Sequence, residues 1–497
     1  MVHNCPYQQE IFMTFTFKDK NLFHTQSYID GQWSDADNGE TIVVINPATD
    51  ESLGTVPNMG AAETARAISA AHLAWGGWRD MPAAERGKIL KKWADLQTEH
   101  LDDLCRILTI EQGKPLAQAK AEIQSGIAYV EWMAEEGRRI YGDIIPANNK
   151  TQRILTFKQP VGVCVMITPW NFPSSMITRK SGPALAAGCT LVLKPSELTP
   201  FSALALAELA ERAGMPKGVL NIVTGAAPAI GGEMTSNPLV RKLSFTGSTA
   251  VGRKLMAQCA PTVKKVSLEL GGNAPFIVMD DADIDEAVAG AIASKFRNAG
   301  QTCVCANRIF VQEGIYDAFA KKFTEAVKKM KIGSGLEAGV DIGPMINIKG
   351  IEKVEDHLQD ARQKGANVAI GGNRHALGGL FFEPTVLTNA TPDMRFFKEE
   401  TFGPLAPLFK FQTDEEAIRL ANDTEYGLAA YLYGKDMARV WRMSEALEYG
   451  MVGVNSVQIV AAQAPFGGWK QSGMGREGSK YGISEYLELK LVAIGGL

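Results

Sequence analysis

VGVCVMIT (161–168), TLVLKP (190–195), GVLNIVTG (218–225), RKLSFTG (241–247) and KKVSLELGG (264–272) are short apolar runs, each closed by a Gly or Pro turn. Segments with helical spacing, such as 200–213, separate them. Parallel strands need a crossover of about a dozen residues or more, so this alternation predicts a doubly wound α/β sheet. Ligands of such sheets bind beyond the carboxyl ends of the strands. After residue 274 the runs APFIVM (274–279), RIFVQ (308–312) and ANVAIGG (366–372) alternate with helices such as 316–330, which predicts a second α/β domain reaching residue 464.

Upstream, 28–56 reads as short strands broken by the turns Asp30-Gly31 and Asn38-Gly39. Apolar residues at three-to-four spacing over 61–75, 83–111 and 120–139 then predict amphipathic helices, the helical layer of a domain. Two segments fit neither domain: 141–160 (YGDIIPANNKTQRILTFKQP) and 485–494 (EYLELKLVAI), both read as exposed strands. An apolar strand at a chain end is an aggregation risk unless paired. Pattern alone leaves pairing with another subunit and pairing within one subunit equally open.

At 497 residues the chain exceeds what one core organises, and two or three structural units are expected. With 45% hydrophobic and 21% charged residues and a net charge of -4, it reads as a soluble globular enzyme. Lys+Arg of 51 against Asp+Glu of 55 leaves no basic excess for nucleic acid. No apolar run approaches the ~18 residues of a membrane span. Seven cysteines scattered over this length do not form a secreted disulfide framework, which points to a reducing cytoplasm. The start, MVHNCPYQQEIF (1–12), lacks the features of a secretory signal, and Met13 is an alternative start.

The candidate nucleophile is Cys303 in FRNAGQTCVC (296–305), after a helical run and a Gly-Gln-Thr turn. A free thiol titrates near ~8.5 and needs a cation, a base or a helix N-terminus to react at neutral pH. Cys305, two residues on, competes for the role. In VSLELGGNAPFIV (266–278), Glu269 ends an apolar run beside Gly271 and Gly272, where partial desolvation would raise its pKa toward that of a general base. An ordinary edge charge is the alternative.

In ITPWNFP (167–173), Trp170 and Asn171 lie between two prolines, so the Asn amide is stiffly held and suits an oxyanion. No G-x-G-x-x-G opens a helix after the first strand. SFTGSTAVG (244–252) instead places Gly247, Ser248 and Gly252 at a strand-to-helix junction suited to a pyrophosphate. LVLKPSE (191–197) adds Lys194 and Glu197 for phosphate or ribose contacts. EETFGP (399–404) supplies Glu400 and Phe402 in a loop, and PFGGWKQSGMGREG (465–478) is Gly-rich. His3, His24, His72, His100, His357 and His375 stand outside all these motifs, against a Cys-His hydrolase and against a zinc or other metal site.

PWNFP, KPSE, FTGS, ELGG, GQTC, EETFGP and PFGG follow the order and spacing of the aldehyde dehydrogenase superfamily, which the chain resembles from about residue 13 to 497. Through NFPSSMITRKSGPALAAG (171–188), KFRNAGQTCVCANR (295–308) and GREGSKYGISEYLELK (475–490) it is most similar to succinate-semialdehyde dehydrogenases. The resemblance implies a dinucleotide-binding domain (13–140 and 161–270), a catalytic domain (271–464) and a small β oligomerisation element (141–160 and 482–497), assembled as a tetramer or dimer.

It also implies roles. Cys303 attacks the aldehyde, Asn171 and the Cys303 N–H hold the oxyanion, and Glu269 activates the water that hydrolyses the thioester. Trp170, Lys194, Ser196, Glu197, Gly247, Ser248, Leu270, Glu400 and Phe402 contact the cofactor. Glu197 accepts from ribose hydroxyls and repels a 2'-phosphate, so NAD is expected over NADP, with NADP left open because Lys194 offsets that repulsion. Arg179 and Arg297 match two arginines that grip the substrate's distant carboxylate. An interior ion pair is the alternative for them.

Val460 departs from the pattern, standing where these enzymes carry a serine. Succinate semialdehyde ranks first, with glutarate or 2-oxoglutarate semialdehyde and simple aliphatic aldehydes open. The resemblance further includes members in which the two cysteines of the CVC segment form an inactivating disulfide, a role that would fall to Cys305, though one intervening residue makes such a bond geometrically unusual. A CoA-acylating enzyme is disfavoured by Glu269, and a non-enzymatic scaffold by the retention of Cys303, Glu269 and Asn171.

Overall fold

Successive residues of the first sheet feed different cores. Val163 and Val165 join Val192, Leu243 and Phe245 on one face, packed on Ala67, Ile68, Ile230 and Leu255 from three helices. Cys164 and Met166 join Leu191, Leu193 and Ile222 on the other, under Leu90, Trp93, Ile123 and Leu204. Strands buried on both faces read as continuous apolar runs, which is why these segments do not alternate.

The computed structural model describes residues 16–497; Cys5, His3 and the alternative start at Met13 lie outside the described residues. The first sheet runs Gly473–Met474, Lys265–Glu269, Val240–Thr246, Val163–Ile167, Thr190–Lys194, Leu220–Ile222, Ser27–Ile29, Gln32–Ser34. Its middle five strands are parallel and its edges antiparallel. From Val163–Ile167 the chain steps outward to Thr190–Lys194 and Leu220–Ile222, then returns to the opposite side with Val240–Thr246. Strand order therefore reverses between Ile167 and Thr246, and a crevice opens beyond their carboxyl ends.

The second sheet runs Asn367–Ile370, Thr385–Ala390, Leu405–Phe411, Ala306–Gln312, Ala274–Val278, Ala429–Tyr433, Met451–Val454, parallel apart from its first pair. The carboxyl end of Lys265–Glu269 leads directly into the amino end of Ala274–Val278. Residues 300–305 and 399–404 precede two further strands of this sheet. The amino edge of the second sheet thus faces the carboxyl edge of the first.

The chain-end strand Leu487–Ile494 pairs antiparallel with Arg153–Pro160 of the same subunit, and Ile144–Ile145 adds a short third strand. Their outer faces stay apolar: Ile144, Leu489 and Leu491 are 80%, 65% and 63% exposed. The helix expected over 83–111 is two, Ala83–Glu99 and Leu101–Gln112, broken at His100. The Asp103 carboxylate accepts the backbone N–H groups of Lys18 and Asp19 at 2.9 and 2.8 Å, a long-range contact that periodicity does not register. Among the described residues, no helix is long and apolar enough to cross a membrane.

Candidate active site

Cys303 is the shared wall of two cavities. One, of about 380 Å³, is lined by Gln118, Phe172, Met176, Arg179, Arg297, Val460 and Phe466 among others. The other, of about 270 Å³, lies in the crevice at the strand-order reversal, between Trp170 and Asn171, Thr246 to Ser248, Leu270 and the Glu400–Phe402 loop. Gly272 lets the 269–272 turn approach closely, since a Cβ there would strike the Cys303 carbonyl. Burial pushes the Cys303 thiol up to about 12, against the pull of Arg179 and Arg297. Among the described residues no group holds it as a thiolate.

Cys305 differs in setting. It is 1% exposed, receives Lys295 Nζ at 3.3 Å, and is a free thiol, as is Cys303. The turn before Cys303 is strained: Asn298 and Ala299 take φ of 53° and 54°. Gln118 Oε1 accepts the Asn298 N–H at 2.8 Å.

Asn171 is 3% exposed and donates from Nδ2 to the Gln301 carbonyl at 3.1 Å. An amide nitrogen carries two protons, so one remains for a ligand. The Cys303 N–H donates to no protein group among the described residues. These are two donors beside the thiol.

Glu269, 4% exposed, faces a third space of about 10 Å³, about what one water needs, together with Arg179, Lys180, Arg476 and Glu477. Among the described residues its Oε2 has no hydrogen-bond partner. Burial, then the Glu477 charge, raise its pKa well above the ordinary carboxylate range, against the pull of Lys180, Arg179 and Arg476. Glu477 is also buried, but Lys180 and Arg179 outweigh that and hold it ionised. Environment thus drives two nearby carboxylates apart in pKa, the usual mark of an acid–base site.

Arg179 spans the large cavity and this small space. It is ion-paired to Glu477 at 2.8 Å and lies 3.9 Å over the Phe466 ring. Arg297 is exposed, with Phe172 at 5.5 Å as its aromatic neighbour and no ion pair among the described residues. Both arginines therefore reach the cavity, but one already has a carboxylate. Val460 lines the same cavity and contributes only hydrocarbon.

In the smaller cavity, Ser248 caps the helix Thr249–Cys259, accepting the Val251 N–H at 3.4 Å, and Thr246 Oγ1 is buried without a partner among the described residues. Burial raises Glu400 to about 7, although its Oε1 accepts the Gly272 N–H at 3.0 Å. Phe402, at φ 54°, sets its ring edge-on to Trp170 at 5.6 Å. Lys194, Ser196 and Glu197 lie one strand over and do not line this cavity. Lys194 instead pairs with Glu197 at 2.8 Å, and Ser196 Oγ accepts the Leu198 N–H at 3.2 Å. The half-buried Glu197 is pushed up by burial and down, more strongly, by Lys194.

The family model for the aldehyde dehydrogenase family matches residues 33–492. The chain belongs to the aldehyde dehydrogenase family. It is 62% identical over 480 residues to a glutarate-semialdehyde dehydrogenase of Pseudomonas aeruginosa, covering 97% of this chain and 99% of the relative. It is also 62% identical over 477 residues to an NADP(+) succinate-semialdehyde dehydrogenase of Escherichia coli, covering 96% and 99%. The solved structure of succinate-semialdehyde dehydrogenase from Burkholderia pseudomallei matches with a TM-score of 0.96 at 63% identity, covering 97% of this chain and 100% of that one. This aldehyde dehydrogenase therefore has the family's fold, with mixed α/β sheets in a cofactor-binding and a catalytic domain, and it is an oxidoreductase.

The structure gathers Cys303, Asn171, Trp170, Gly247, Ser248, Leu270, Glu400 and Phe402 around one crevice and Arg179, Arg297 and Val460 around the adjoining one. Sequence reasoning missed Glu477 and Lys180. Glu477 sat inside the Gly-rich loop and Lys180 inside a quoted motif, and only their placement against Glu269 exposes them. Among the described residues no group of His, Cys, Asp and Glu is placed to hold a metal ion.

Proposed function

We propose that this enzyme oxidises a carboxylated semialdehyde, succinate semialdehyde first, to the dicarboxylic acid through a thioester on Cys303. The observation that carries this reading is Cys303 standing between a cavity with an unpaired arginine and a crevice suited to a nicotinamide dinucleotide. The fit to that cofactor rests on the orphaned Thr246 hydroxyl, the helix N-terminus at Ser248 and the half-buried Glu400 carboxylate. A bound oxidised nicotinamide would supply the acceptor for the hydride that leaves the former aldehyde carbon once that carbon is bonded to Cys303.

The protein does the rest. Cys303 Sγ adds to the aldehyde carbon as its proton passes to solvent water in the cavity, while Asn171 Nδ2 and the Cys303 N–H receive the developing oxyanion; losing one such donor costs about 10²–10³-fold. After oxidation, Glu269 takes a proton from water as it attacks the thioester, and Cys303 leaves. Glu477 raises that carboxylate's pKa and Lys180 lowers it.

Arg297 binds the distant carboxylate, with Arg179 shared between it and Glu477. Val460 offers the distant carboxylate no hydrogen bond, which leaves glutarate semialdehyde as the second reading, and a relative of that name supports it. Arg297→Ala should lower kcat/KM for succinate or glutarate semialdehyde about 10- to 150-fold, the ~1.5–3 kcal/mol of a charged hydrogen bond. Aliphatic aldehydes of equal length should change less than about 3-fold. Equal losses across that panel would contradict carboxylate recognition here.

NAD is the proposed cofactor. Removing the charge of Glu197 with Glu197→Gln should raise kcat/KM for NADP about 10-fold, ~1.4 kcal/mol of like-charge repulsion. A wild-type preference for NADP, the cofactor in the name of the Escherichia coli relative, would overturn this. The apolar outer face of Leu487–Ile494 and Arg153–Pro160 fits an oligomer, tetramer or dimer, and the scattered free thiols fit a cytoplasmic protein.

A further inference from the structure

Behind the Asn171 amide lies a buried ion pair with no part in the chemistry of Cys303 and Glu269. Lys114 and Glu122, both with fully buried side chains, meet at 2.5 Å. Lys114 follows the helix Leu101–Gln112, and Glu122 stands on the next helix, Leu116–Glu136. Burial lowers Lys114 to about 8 against the pull of Glu122. The desolvation of such a pair is scarcely returned by its own attraction, so stability alone is a weak reason for it.

Its other bonds converge on one short segment. Lys114 Nζ donates to the Asn171 carbonyl at 2.7 Å and lies 3.9 Å over the Phe172 ring. Glu122 Oε1 accepts the N–H groups of Ser174 and Ser175 at 3.0 and 3.1 Å. Residues 171–175 are thus gripped at both ends by one ion pair. The Asn171 carbonyl also accepts Asn298 Nδ2 at 3.0 Å, from the strained turn that leads to Cys303. Both of its acceptor sites are committed, and rotating the Asn171 peptide would break a bond to a charge.

We propose that the Lys114–Glu122 pair is a positioning device that fixes the Asn171 amide relative to Cys303, a role that rests on Asn171 being the oxyanion donor. Glu122 lines the larger cavity with Arg297 and Cys303, while Lys114 lines neither cavity. Lys114 thus adds a charged bond to the Asn171 carbonyl, beside the bonds that tie this segment to the thiol's turn from Asn298 Nδ2 and from Asn171 Nδ2 to the Gln301 carbonyl.

Stopped-flow measurement of the first-turnover rate of reduced-cofactor formation, at saturating succinate semialdehyde and NAD, tests this. The variants are Asn171→Ala, Lys114→Met, Glu122→Gln and the two doubles with Asn171→Ala, with NAD affinity by fluorescence titration and the thermal midpoint alongside. Lys114→Met should slow the first turnover about 100-fold, the scale of a 1 Å misplacement, with NAD affinity unchanged. In the Asn171→Ala background the same change should cost less than about 2-fold more, because the group being aimed is gone. Full additivity in that background, or an unaltered rate in Lys114→Met, would overturn the role. If Lys114→Met does not fold, the same cycle on the near-isosteric Glu122→Gln decides. A wild-type rate in Asn171→Ala would instead overturn the oxyanion reading itself.

Discussion

Cys303→Ala should lower aldehyde oxidation by on the order of 10⁴-fold or more, as losses of covalent nucleophiles do, with the fold and NAD affinity intact. Cys305 does not take over, since its thiol is 1% exposed and turned toward Lys295 at 3.3 Å. Burial pushes the Cys303 thiol up to about 12, so without cofactor it rests protonated at neutral pH. The reactive thiolate fraction then grows as pH rises, and alkylation of the cofactor-free enzyme by iodoacetamide should accelerate about tenfold per pH unit across the neutral range. A pH-independent alkylation rate would mean the thiolate is already formed.

Glu269→Gln should lower kcat by about 10²–10⁴-fold while leaving the first turnover near wild type, because only hydrolysis needs the base. A burst of about one reduced cofactor per active site should precede a slow steady state. In the wild-type enzyme the hydrolytic step quickens as pH rises through the elevated pKa of Glu269, since the ionised carboxylate is the base. Stability runs the other way. A carboxyl whose folded pKa is raised stabilises the fold while protonated, and that contribution is lost as pH rises through the folded value. Glu269→Gln removes a buried charge with an unpartnered Oε2, so its thermal midpoint should exceed wild type by a margin that widens toward alkaline pH. A stability loss at alkaline pH would show that the ionised carboxylate is better satisfied than its surroundings indicate.

The sheets were legible because strands buried on both faces leave unbroken apolar runs, and the turns after them are marked by Gly and Pro. Asn171 was legible for the same reason, since it follows such a run; Cys303 was marked by the turn after a helical run, and Glu400 by resemblance to the family. Edges and couplings were not. Periodicity runs on through His100, where the backbone leaves the helix, and it does not register Asp103 holding the backbone of Lys18 and Asp19, some 84 residues away. Glu477, Lys180 and Lys114 are ordinary charges in sequence and gain meaning only from what they touch. Arg179 shows the limit most clearly: its motif pointed to a substrate carboxylate, and the folded chain also gives it Glu477.

Intact-protein and peptide mass spectrometry of Glu269→Gln, acid-quenched during turnover of succinate semialdehyde with NAD, tests the thioester most directly. The account predicts a succinyl adduct on the peptide bearing Cys303, near one per subunit, that hydroxylamine removes. An unmodified Cys303 at the height of the burst, or an adduct on Cys305 instead, would contradict it.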